Sequence, residues 1–349
     1  MKIVAGEIFV VFVLALLATS STYPRALAQA TADRPIKLST DLVVFDAQVV
    51  SRKTGRNIGG LNEVEFNVYE DGVKQRITHF SRDRLPLSIV ILVDVSESVW
   101  PGIDQIRAGA LRALEHLKPE DEVALMSFTA SAELVQNFTR DRQLIAEKIQ
   151  QIDKYKGNGT FIDEAVFQAA TLLNKAANTD SRRVIIAITD NESNQPEGTG
   201  HSGKEATEML FESGSVVCGL IVGPYIDRVG NPLKYYPPYF VLNKIIRKKR
   251  DEIRRRAGSI SDIINPRSAE TGGIVITAKR NEVVTQFTRL IDGLRSRYSF
   301  GYVSLNRNRD GTFRRIELNV SPYVVSREGR VAVITRKGYY ARRPEAQDQ

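Results

Sequence analysis

Two apolar rhythms run through this chain, and they occupy different parts of it. Between residues 85 and 296, short apolar runs alternate with segments whose apolar positions recur every three to four residues. The runs 89–93, 123–128, 184–189, 216–222 and 273–277 are unbroken or nearly so, the pattern of strands covered on both faces. Between them, Ile103, Ile106, Ala110, Leu114 and Leu117 share one helical stripe. So do Leu144, Ile145, Ile149 and Ile152, and then Val166, Ala169, Ala170 and Leu173. Residues 204–211 predict a shorter helix. Val283, Val284, Phe287, Leu290, Ile291 and Leu294 predict a long closing one, and 132–136 a short hairpin partner for 123–128. Such alternation predicts an α/β fold, a doubly wound and mostly parallel sheet with helices on both faces.

The flanks follow a period of two. Val43, Phe45, Ala47 and Val49 make one apolar face, with Asp46 and Gln48 on the other. Residues 66–69 alternate and meet Glu70-Asp71-Gly72, a hairpin turn from which 73–80 returns. At the other end, 298–305, 313–320 and 330–335 are strand-like, and Asp310-Gly311 reads as a second hairpin. Each strand set needs a partner face. This predicts a small β-sandwich built from both ends, residues 35–84 and 297–341, with the α/β domain 85–296 inserted between them.

Composition adds the compartment. With 349 residues, 42% apolar and 26% charged, the chain reads as globular. Its 49 Lys+Arg against 41 Asp+Glu give a net +8, too modest to point to nucleic acid. Lys2 precedes an apolar stretch, 8–18, and Ala26-Leu27-Ala28 has small residues at cleavage spacing. Residues 1–28 therefore read as a signal peptide cut near Ala28. That makes the protein exported, whether periplasmic, cell-surface or secreted, with no transmembrane span after cleavage. The alternative is an uncleaved N-terminal anchor. Cys218 is a lone thiol inside an apolar run, a core residue. His79, His116 and His201 form no ligand spacing, and neither His-Glu-x-x-His nor Gly-x-Ser-x-Gly occurs.

The candidate chemistry lies at the ends of two strands. The run 89–93 ends in Asp94-Val95-Ser96-Glu97-Ser98, which delivers one carboxylate and two hydroxyls to a loop. These are hard oxygen donors, suited to Mg²⁺ or Mn²⁺. Gly157-Asn158-Gly159-Thr160 is a Gly-rich loop just before a helix, and the run 184–189 ends in Asp190. In an open parallel sheet, ligands sit outside the carboxyl ends of the strands. Asp94, Ser96, Ser98, Thr160 and Asp190 are thus expected to converge.

That constellation resembles the metal-ion-dependent adhesion site of von Willebrand factor type A domains. The resemblance implies that Ser96, Ser98 and Thr160 hold one divalent ion, Mg²⁺ or else Mn²⁺ or Ca²⁺. Asp94 and Asp190 would act directly or through water, and an open position would accept an Asp or Glu carboxylate from a protein partner. Asn158 and Asn191 stand where glycine is common in the family; asparagine tolerates positive φ better than most residues. Glu97, Trp100, Glu192 and Asn194 are candidate rim residues. The segments 61–72 and 336–340, with Tyr298-Ser299-Phe300-Gly301-Tyr302, are also similar to exported bacterial proteins related to these domains and known mainly from acidobacteria.

The insert 224–266 departs from the type A pattern. It combines tyrosines and prolines with a basic run containing Lys244, Arg247, Lys248, Lys249, Arg250, Arg254, Arg255 and Arg256. This is either a solvated helix face or a contact for an anionic envelope surface. The function expected from the whole chain is a cation-dependent adhesion or protein-binding module rather than an enzyme. The alternatives are a metal-dependent envelope hydrolase and a structural domain with a stabilising metal.

Overall fold

The computed structural model describes residues 42–82, 85–97, 99–178, 181–191, 193, 195–222, 266–278 and 282–343. The leader, the insert's basic run, Ser98, Glu192 and Asn194 lie outside the described residues.

The α/β fold expected from the apolar rhythm is present. Its central sheet has six strands in the order β10-β9-β8-β5-β6-β7. These are β5 (Leu87–Asp94), β6 (Glu122–Phe128), β7 (Ala132–Thr139), β8 (Arg182–Thr189), β9 (Val216–Ile221) and β10 (Val275–Thr277). All pair in parallel except β7, which is antiparallel to β6 at the edge. Every residue of β5 and β6 is buried, as strands covered on both faces must be. Helices α1 (Ile103–Glu115), α2 (Arg142–Gln150) and α6 (Val283–Arg295) put their apolar stripes on one face. Helices α3 (Ile162–Leu173) and α4 (Gly203–Ser213) cover the other. A short helix, α5 (Pro266–Thr271), precedes β10.

The two ends of the chain meet in a sandwich of two four-stranded sheets. One has the order β13-β1-β11-β4, from β1 (Leu42–Ser51), β4 (Ile77–Ser81), β11 (Tyr298–Val303) and β13 (Val331–Thr335). The other has the order β14-β12-β2-β3, from β2 (Phe66–Glu70), β3 (Val73–Gln75), β12 (Phe313–Val320) and β14 (Gly338–Tyr340). The face Val43, Phe45, Ala47 and Val49 packs with Phe66, Val68, Tyr298, Phe300, Ile316 and Leu318 between the sheets.

Three details correct the sequence reading. The returning stretch 73–80 is two strands: β3 stays with β2, and β4 pairs with β11 in the opposite sheet. Period-two alternation cannot reveal a strand that changes sheets at a corner. For the same reason Asp310-Gly311 is not a hairpin, because β11 and β12 belong to different sheets. A seventh helix, α7 (Pro322–Glu328), follows β12, with Pro322 in its first turn.

Buried polar groups tie the pieces together. Arg182, at the start of β8, donates to Asp46 Oδ2 at 2.9 Å. It also reaches Leu294 O, Arg297 O and Ser299 Oγ. Ser299 Oγ in turn donates to Asp46 Oδ1 at 2.6 Å. Across the sandwich, the Glu70 carboxylate accepts from Tyr302 (2.7 Å), Tyr339 (2.9 Å) and Ser304 (2.6 Å).

Removing the guanidinium with Arg182→Ala leaves Asp46 and two carbonyls short of a donor. It should lower unfolding free energy by about 3–5 kcal/mol in urea titration; a loss below about 1 kcal/mol would contradict the account. Burial and the Glu70 carboxylate raise both tyrosines, Tyr339 to about 12. Groups raised in the folded state keep their contribution below the unfolded value near 10 and lose it above that value. The urea midpoint should therefore hold steady to about pH 9 and fall beyond about pH 10, less steeply in Tyr339→Phe.

Candidate metal centre

The topology places one point of the sheet apart. From β5 the chain winds outward to β6 and β7, then crosses back to β8 on the other side of β5. Ligands bind at such switch points. Asp94 is the last residue of β5 and Asp190 the first after β8, on neighbouring strands that are in register from Leu87↔Arg182 to Val93↔Ile188.

Asp94 is fully buried. Its Oδ1 accepts from Ser96 N at 3.0 Å and its Oδ2 from Thr189 Oγ1 at 2.7 Å. Thr189 Oγ1 also accepts from Asn191 N at 3.1 Å. Burial pushes the Asp94 carboxyl up to about 6; these hydrogen bonds oppose the rise and nearby Asp190 adds to it. Among the described residues, no cationic side chain is bonded to Asp94.

The other loops are sewn to it by backbone. Ser96, 3% exposed, bridges Gly157 in parallel fashion. Ala130 N donates to Asn158 O at 3.2 Å, and Phe161 N to Thr129 O at 2.8 Å. The glycine loop therefore lies across the β6–β7 turn and delivers Thr160, 5% exposed. Ser193 Oγ donates to Thr160 O at 2.9 Å, so the loop after β8 closes on the same point. Gly159 has φ +83°, and a Cβ there would stand 3.0 Å from Ala130 Cβ, so glycine is required twice over. Positive φ was expected at both asparagines. Asn191 has it, at 64°, and in the other loop Gly159 takes it instead of Asn158.

Asp94, Ser96, Thr160 and Asp190 are thus carried on loops that hydrogen-bond to one another at one end of the sheet. Among the rim candidates, Glu97 is exposed and Trp100 half-buried, packed partly on the core beneath α1. Cys218 is buried as expected, its thiol raised by desolvation. His201, just before α4, has its Nδ1 2.7 Å from Glu164 Oε2 and its ring stacked on Phe167. The sequence reading missed Thr189 and Ser193, which orient Asp94 and Thr160. A hydroxyl at a strand end carries no signal beyond β-propensity.

A divalent ion fits this donor set. No group of three or more His, Cys, Asp or Glu gathers among the described residues, so a metal here would draw on hydroxyls as well as carboxylates. Two carboxylates lie close together here, and one is buried with no cation bonded to it among the described residues. Hard oxygen donors of this kind suit Mg²⁺, Mn²⁺ or Ca²⁺.

Residues 89–193 match the family model of the von Willebrand factor type A domain. Over that stretch the chain is similar to a von Willebrand factor type A domain. No curated protein matches the chain. Among solved structures it is similar to BatB, a conserved hypothetical protein of Bacteroides thetaiotaomicron, at 25% identity and TM-score 0.34, over 39% of this chain and 67% of that one. It is also similar to an aerotolerance-related membrane protein of Bacteroides fragilis, at 16% identity and TM-score 0.41, over 60% and 98%. A third is proximal thread matrix protein 1 of the mussel byssus, described with a zinc-occupied MIDAS motif. That match is at 13% identity and TM-score 0.43, over 61% of this chain and 48% of the mussel one. The chain thus spans about half the length of the mussel protein.

Asp94→Asn separates the two demands on this carboxylate. A carboxyl raised in the folded state gives its extra stability when protonated, present below about 4 and lost as pH rises through about 6. Metal-free wild type should lose about 3 kcal/mol relative to Asp94→Asn between pH 4 and 7, read by urea unfolding at each pH. Parallel profiles for the two proteins would refute the assignment.

Proposed function

We propose that this chain is an exported, divalent-cation-dependent protein-binding or adhesion module. The observation that carries the reading is the buried Asp94 carboxylate. It sits with Asp190, Ser96 and Thr160 near the switch point, and among the described residues no cationic side chain is bonded to it. Ser96, Ser98 and Thr160 would hold one ion by their hydroxyls, with Asp94 and Asp190 supplying charge. The ion, when bound, supplies a Lewis-acidic position for an Asp or Glu carboxylate from a protein partner.

The chain's own residues do the rest. Thr189 and the Ser96 amide fix both Asp94 oxygens, so the carboxylate need not reorganise when a ligand arrives. Ser193 and the β6–β7 turn hold the Thr160 backbone in place. Glu97, Trp100, Glu192 and Asn194 form the rim that sets specificity in this proposal. The division into sandwich segments 35–84 and 297–341 around a type A domain 85–296 belongs to the same proposal. So do export through a leader cut near Ala28 and contact of the basic run Lys244 to Arg256 with an anionic envelope surface. Among the described residues, no helix is long and apolar enough to cross a membrane.

Calorimetric titration with Mg²⁺ and with Mn²⁺ tests the core of this proposal. Wild type should bind one equivalent saturably. Asp94→Ala and Thr160→Ala should weaken binding by at least about tenfold, since each removes a designated donor or its charge. A folded wild-type protein that takes up neither ion at millimolar concentration would end the proposal.

A further inference from the structure

Two features of the rim are tethered to the same residue. Trp100 N donates to Ser96 O at 3.2 Å, and Gly157, directly after Lys156, bridges Ser96. These two tethers bring the side chains together: Lys156 Nζ lies 4.6 Å from the centroid of the Trp100 ring. The indole is half-buried on the core under α1, while Lys156 is exposed. The rim therefore presents a steered ammonium where the sequence suggested a bare tryptophan. A contact of this kind at an exposed site biases the lysine stem toward the ring.

Among the described residues, no carboxylate lies within ion-pair distance of Lys156. Asp153, three residues earlier, faces Arg107 at 3.6 Å. Glu97 is exposed beside Ser96 and brings the opposite charge to the rim. A cation fixed next to a carboxylate-binding point complements a second negative charge on whatever that point captures.

We propose that Lys156, held over Trp100, makes the site selective for acidic segments. One Asp or Glu carboxylate would occupy the Asp94–Ser96–Thr160 point and a neighbouring carboxylate would meet the Lys156 ammonium. This rests on the metal-site reading above. Glu97 works against it and limits how many acids the rim tolerates.

Binding of the full chain to immobilised poly-L-glutamate, in Mg²⁺ and in EDTA, tests the proposal. Wild type should bind in Mg²⁺ and release in EDTA. Lys156→Ala should weaken binding about two- to fivefold at about 50 mM salt, with the difference shrinking at about 500 mM, as for an exposed charge pair. Lys156→Arg should retain binding, and Glu97→Gln should strengthen it. Equal affinity of wild type and Lys156→Ala overturns the proposal. So does a wild type that takes up Mg²⁺ in a parallel calorimetric titration yet ignores poly-L-glutamate. A wild type that takes up no metal removes the site reading itself, and this proposal with it, so the two failures are distinct.

Discussion

The architecture depends on one buried guanidinium. The α/β layer and the sandwich are joined covalently where the chain leaves and re-enters, and both crossings must be held. Arg182, on β8, holds the outgoing crossing through its backbone N–H, which donates to Pro86 O at 2.9 Å, and the return crossing through its side chain. Its side chain is 3% exposed and bonds Asp46 on the first sandwich strand, the carbonyls of Leu294 and Arg297 at the return crossing, and Ser299 just beyond. Lysine could not substitute, since only a planar fork with five donors serves these acceptors at once. Nearby, Arg295 at the end of α6 meets the buried Asp121, which also accepts from Leu87 N and Lys118 N. The lower end of the central sheet is thereby fixed in the same region as the return crossing.

With that end fixed, the opposite end is free to be loops. β5 is buried along its whole length, so its side chains cannot reach solvent until the strand stops, and it stops at a carboxylate. The loops around Asp94 are held by the buried Val95 and Val99 and also by backbone bonds and by hydroxyls placed on carbonyls and carboxylates: Ser96 to Gly157, Ala130 to Asn158, Ser193 to Thr160, Thr189 to Asp94. Such an arrangement sets donor positions closely while leaving the loops at the surface, where a partner can approach.

Much of this was legible because it rests on short-range rules. Unbroken apolar runs gave the buried strands, and the three- to four-residue period gave the helices that cover them. Asp94, Ser96, Thr160 and Asp190 were legible as residues at one end of the sheet because each ends or follows a strand or precedes a helix. The rest depends on contacts distant in sequence. Nothing in residues 73–80 says that the strand leaves one sheet for the other at Arg76, since alternation is the same in both. Thr189 reads as an ordinary strand residue until Asp94 is seen beside it. Lys156 looks like any lysine before a glycine loop until the Ser96–Gly157 bridge brings it over Trp100.

The two buried aspartates at opposite ends of the sheet separate structural from functional chemistry. Asp121 is fully buried, as Asp94 is, but it lies against Arg295 and takes two backbone N–H groups, so its charge is met within the chain. Asp94 has the hydroxyls of Ser96 and Thr189 and one backbone N–H, and its charged neighbour among the described residues is another carboxylate. Burying a carboxylate without a counter-charge is strongly unfavourable. A sequence under selection for stability alone would place an asparagine or a paired aspartate there. In the proposed function that charge is supplied by a cation, and the hydroxyls gathered round the carboxylate suit a hard one.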